Sequence, residues 1–226
     1  MRGIVSLTPW RQFLLALSLA TAVSIGLLVA DSIANRSFSQ SYLLVNLALA
    51  WIPFGLALWL KQCLSHKLWS SWEAMSLSVL WLIFLPNAFY MISDFIHLTD
   101  IDIQQLLFST VMFTSFIYIG VLLGFTSLYF VQQEIAKRFS PRATTTMIGL
   151  LLFICSFAIY IGRDLRWNTW NVFTDPAGIL FEVSARFLHP TQYPQVLLVV
   201  LPFFTLLISM YFVAWKGIKL LGLRRS

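Results

Sequence analysis

LLFSTVMFTSFIYIGVLLGFTSLYFV, residues 106–131, runs for 26 positions without a charged side chain. At about 1.5 Å of rise per residue a helix of that length measures roughly 39 Å, more than the roughly 30 Å of a bilayer's hydrocarbon core. Five further runs repeat the pattern: QFLLALSLATAVSIGLLVA (12–30), YLLVNLALAWIPFGLALWL (42–60), SLSVLWLIFLPNAFYMI (76–92), TTTMIGLLLFICSFAIYIG (144–162) and VLLVVLPFFTLLISMYFVAW (196–215). The expected fold is therefore all-α, a polytopic bundle of six transmembrane helices in one domain over residues 1–226. Composition agrees, with 59% hydrophobic and 11% charged residues against roughly 25% charged in soluble domains.

The first run carries a basic lead, Arg2 and Arg11, as a secretory signal does. Its apolar core outlasts the roughly 7–15 residues of a cleaved signal and VADS is a poor cleavage site, so an uncleaved first helix is expected. Cys63 and Cys155 sit in or beside different runs without a CxxC pair, and read as small buried hydrophobes.

Lys and Arg divide unevenly between the two sides of such a bundle, eleven on the side of the termini and four on the other. The positive-inside rule then places both termini in the cytoplasm of a bacterial cell, with the bundle in the plasma membrane. A net charge of +6 would point to nucleic acid in a soluble protein. Dispersed over short loops it points instead to anionic membrane lipid, at about 1 kcal/mol per residue near the surface. Membrane lipid is the expected partner and nucleic acid is not.

Two polar stretches interrupt the apolar pattern on the side of the four arginines. In PNAFYMISDFIHL (86–98), the end of helix three, Asn87, Tyr90, Asp94 and His97 fall on one face at helical spacing. Polar groups at that depth must face protein or a wet cavity rather than lipid. In GRDLRWNTWN (162–171), where helix five leaves the membrane, Arg163, Arg166, Trp167 and Trp170 share one arc if the helix runs on. Asp164, Asn168 and Asn171 share an adjacent one.

Three readings of this pair compete. Trp167 and Trp170 belong to an interfacial aromatic belt while Asp94 pairs with Arg163 or Arg166 to lock two helices. Alternatively Arg163, Arg166, Arg186 and His97 cradle an anionic head group or phosphate. In the third, Asp94 and His97 are metal ligands completed by Asp164, Asp100, Asp102 or His189, although no HExxH-type motif is present.

The segment 163–194 is long for a connection. Asp175 is a candidate N-cap with Pro176 at the first helical position, followed by Ile179, Leu180, Val183 and Phe187 opposite Glu182 and Arg186. That predicts a short amphipathic helix on the outer membrane surface or packed on the bundle's own loops. Gly120 and Gly124 form a GxxxG suited to close helix packing, and Pro53 and Pro202 are candidate helix breaks.

The stretches LPNAFYMISDFIHL and GRDLRWNTWNVFTDP resemble those of an uncharacterised family of bacterial multi-pass membrane proteins, domain of unknown function 1361. The resemblance rests on Asn87, Tyr90, Asp94 and His97, and on Gly162, Arg163, Arg166, Trp167, Asn168 and Trp170. It covers most of the chain from helix two onward and implies no activity or cofactor, only that these stretches are the family's signature. The reading carried forward is a site for an anionic, lipid-linked molecule. Asp94 or His97 serve there as acid or base, and Asn87, Tyr90, Arg163, Arg166, Trp167, Asn168 and Trp170 form the binding surface. A purely structural or assembly role and a small transporter are the alternatives.

Overall fold

The computed structural model describes residues 8–167, 169–189 and 192–223. Among them there is no strand, and six helices are long and apolar enough to cross a membrane. Helices α1 (Pro9–Asn35), α2 (Tyr42–Leu64) and α3 (Trp72–Tyr90) are followed by a 3-10 helix over Met91–Asp100. Then come α4 (Leu106–Ala136), α5 (Pro141–Asp164), the short α6 (Asn171–Thr174), α7 (Pro176–Leu188) and α8 (Pro194–Leu223). Six successive spans put Pro9, where α1 begins, and Leu223, where α8 ends, at the same end of the bundle.

The helix starts are written in the sequence. Side-chain oxygens of Thr8, Ser71 and Ser140 accept the backbone N–H groups of Arg11, Ala74 and Ala143, and Pro9 and Pro141 fill the first turns of α1 and α5. Pro53 and Pro202 do not break their helices: α2 and α8 are continuous through them.

Helices α2, α3 and α4 pack on one another to form the centre, with α1 against α4, α5 against α3 and α4, and α8 against α5. Ser127 of α4 accepts from Trp81 Nε1 of α3 at 2.6 Å and donates to the Pro53 carbonyl of α2 at 3.2 Å, stitching the three together. The GxxxG of α4 serves the close approach its spacing suggests. A Cβ on Gly120 would lie 2.6 Å from the Ala88 carbonyl oxygen, and one on Gly124 would lie 2.7 Å from the Phe89 ring. Small residues here let the end of α3 press directly on α4. Cys63 and Cys155 are buried and free.

The amphipathic helix forms where expected, with Asp175 Oδ1 accepting from the Gly178 N–H at 2.9 Å. Its faces are the expected ones only in part: Ile179 lines the cavity described below and Val183 packs beside Phe157 and Tyr160, but a charged side chain is buried with them. Arg186 is buried, donating through Nε to the Tyr160 hydroxyl at 3.1 Å, pairing with Glu182 and stacking on the Tyr193 ring at 4.7 Å. Burial would pull its pKa down, but the bonds to Tyr160 and Glu182 hold it above the usual value, so the guanidinium stays charged. Leu180 and Phe181, each 72% exposed, turn outward instead. The Phe187 side chain lies outside the described residues.

Candidate functional site

At the end opposite Pro9 and Leu223, α3 packs against α2 on one side and α5 on the other. The space between these helices is a cavity of about 450 Å³, within the range of small-molecule sites. Asn87, Tyr90, Asp94 and His97 all line it, as their spacing predicts. The α-helix stops at Tyr90, but the 3-10 helix that follows keeps the stripe intact, because residues i and i+3 eclipse in that geometry. Ten residues is long for a 3-10 helix, a form whose runs rarely exceed about 3–4 residues. Asp94 and His97 therefore stack one above the other, Asp94 only 3% exposed and His97 at the surface with its ring 5.2 Å from that of Tyr42.

Asp94 does not pair with an arginine. Its Oδ2 accepts from Asn46 Nδ2 of α2 at 3.0 Å, and among the described residues no Lys or Arg nitrogen lies within 4.0 Å of its carboxylate. Asn46 is thus a lining residue that the motif reading did not include. Its signal was present: a lone amide in an apolar run needs a polar partner.

The wall facing Asp94 is built by a chain reversal rather than by a continued helix. α5 ends at Asp164, the Leu165 N–H still bonds the Ile161 carbonyl at 3.2 Å, and Arg166 then takes a left-handed backbone with φ 55°. A non-glycine residue seldom adopts that conformation. The turn folds the following segment back over the cavity, so that Trp167, Thr169 and Trp170 line it. The arc expected of Arg163, Arg166, Trp167 and Trp170 is consequently broken. Arg166 is exposed, Arg163 is half-buried, and neither lines the cavity. Asn168 lies outside the described residues.

Asn87 fastens this flap. Its Nδ2 donates to the Phe84 carbonyl at 3.1 Å, and its Oδ1 accepts from Thr169 Oγ1 at 2.9 Å. Glycines set the spacing on either side of it. A Cβ on Gly162 would lie 3.0 Å from the Tyr90 ring, and one on Gly178 would lie 2.7 Å from the Trp167 indole. Pro86 has no N–H to give the Leu82 carbonyl, and both residues are in the lining.

The cavity is polar at one end and apolar at the other. Leu49, Leu82 and Ile83 close its deep end, and Ile154, which also lines it, is 46% exposed on the flank of the bundle. Of the remaining candidates, Arg186 belongs to the α5–α7 junction, and Asp102, Asp164 and His189 are exposed. Among the described residues no three His, Cys, Asp or Glu side chains gather as metal ligands do.

A family profile described as protein of unknown function (DUF1361) matches residues 45–210, which takes in Asn46, both polar stretches and the flap. No curated protein matches the chain, and no solved structure does.

Proposed function

The chain belongs to the family described as protein of unknown function (DUF1361), a membership that carries no activity, and from the site itself we propose that the protein binds the head of a membrane-resident amphiphile. The observation that carries this reading is the cavity's division into a polar end around Asp94 and an apolar end that reaches the exposed Ile154. A molecule with a head and a tail matches that division, and a soluble polar molecule does not. In this reading the cavity faces outward, in the outer leaflet of the plasma membrane, on the strength of the Lys and Arg distribution.

Arg163 and Arg166, beside the cavity rather than in it, offer donors to an anionic group of the head at the rim. Trp167 and Trp170 give it flat surfaces to lie against. His97 and Asp94 are the one acid and base pair among the lining residues, and any proton transfer to or from a bound head would pass through them. Transport is the weaker reading, because a path onward from the deep end would have to pass Leu49, Leu82 and Ile83, which are all apolar.

A structural reading has one observation in its favour, the Asn46–Asp94 bond joining α2 to the extension of α3. Single replacements separate the two. Asp94→Ala, His97→Ala and Arg163→Ala are expected to accumulate in the membrane as folded proteins that retain less lipid on purification. Loss of all three from the membrane, or lipid retention unchanged in all three, would refute the binding role.

A further inference from the structure

The cavity's lining offers a carboxyl group and no fixed cation. Among the described residues that line it, Asp94 is the sole Asp or Glu, and no Lys or Arg is present. Asp94 has a neutral partner, the Asn46 amide, and no cation within ion-pair distance among the described residues. A carboxylate held at membrane depth without a counter-charge is costly, and such groups normally pair with a cation.

The same cavity is lined by four aromatic side chains, Tyr42, Tyr90, Trp167 and Trp170. They arrive from α2, α3 and the flap, and so from different directions. Ring faces carry negative potential, and an aromatic cage with a nearby carboxylate is the arrangement that takes an organic cation, above all a quaternary ammonium. We infer that the head bound in the cavity carries an ammonium group, seated among these rings against Asp94.

This inference rests on the amphiphile reading and names its head. A head that is solely anionic would meet a carboxylate, with the arginines outside. A phosphate linking the ammonium to its lipid would lie toward the rim, where the half-buried Arg163 follows the lining residue Gly162.

The test is native mass spectrometry of the full chain released from nanodiscs holding equal parts of dioleoyl phosphocholine, phosphoethanolamine and phosphoglycerol lipids. All three share a phosphate and the same tails, and only the first two carry an ammonium. An enrichment of about tenfold for the ammonium lipids is expected in the bound fraction, falling toward unity in Asp94→Asn and weakened in Trp170→Leu. Trp170 is 52% exposed, so its replacement keeps the test valid if the Asp94 variant fails to fold.

Tetramethylammonium chloride should release the bound lipid at concentrations where sodium chloride does not, which locates recognition in the cation itself. Equal binding of all three lipids, unaltered in both variants, or equal release by the two salts, overturns the ammonium inference and leaves the amphiphile reading standing. A preference for phosphoglycerol that Arg163→Gln removes overturns it in favour of an anion. Absence of any bound lipid overturns the amphiphile reading itself.

Discussion

Thr169→Val removes one hydroxyl and keeps the side chain's shape, which makes it a clean probe of how the flap is held. In the native protein Thr169 Oγ1 donates to Asn87 Oδ1 at 2.9 Å, the side-chain bond that ties the flap to α3. A hydrogen bond of this kind contributes about 0.5–1.5 kcal/mol net, and leaving its acceptor dry adds a penalty of about 1–3 kcal/mol. Asn87 is only half-buried and lines a cavity wide enough for water, so little of that penalty applies and the total is about 1–2 kcal/mol. At 1.4 kcal/mol per decade this raises the population of the open flap roughly 5- to 30-fold. Hydrogen exchange followed by mass spectrometry should show that acceleration in the amides of residues 165–175 while α3 and α4 keep their protection. Unchanged exchange in 165–175, or acceleration spread evenly over the bundle, would refute the idea that this bond fastens the flap.

Three further outcomes follow from the packing. Gly124→Val forces Phe89 aside at a site where even a Cβ would meet the ring at 2.7 Å, so a loss of about 1–3 kcal/mol and reduced accumulation in the membrane are expected. Gly26→Ala, with nothing within 4 Å of its new methyl, should be neutral or slightly stabilising by thermal unfolding. Arg186→Met removes the bonds to Tyr160 and Glu182 at a cost of about 1–3 kcal/mol, and limited proteolysis should then cut within 176–188 before it cuts the spans. A reporter fused after Ser226 should be cytoplasmic, and an external reporter would reverse the side on which the cavity opens.

The spans were legible because uncharged runs of bilayer length leave little choice, and the helix starts because Thr8, Ser71, Ser140 and Asp175 are good caps. The stripe from Asn87 to His97 was legible for a subtler reason. A change from α to 3-10 winding at Met91 alters the angle per residue, yet the i, i+3 neighbours stay together in both forms. What failed was everything that depended on α5 continuing past Asp164. The left-handed turn at Arg166 carries no glycine to announce it, and it moves the arginines out of the site while bringing the tryptophans in. Asn46 announced itself as a lone amide in an apolar run, but its pairing with Asp94, 48 residues away in sequence, is a separation that no local pattern reports. The burial of Arg186 in α7 has the same origin. Periodicity separates apolar from charged positions, but it cannot see that the Tyr160 hydroxyl waits on α5 to draw Arg186 inward.

The most direct test of a lipid head in this cavity is to fill the cavity. Ala158 of α5 lines it opposite the α2 side, and Ala158→Trp would occupy the space a head group needs without touching any hydrogen bond described above. Lipid co-purifying with the wild-type chain should approach one molecule per protein and fall several-fold in Ala158→Trp while the bundle stays folded. Equal lipid retention by both proteins would contradict a head group seated between α2, α3 and α5.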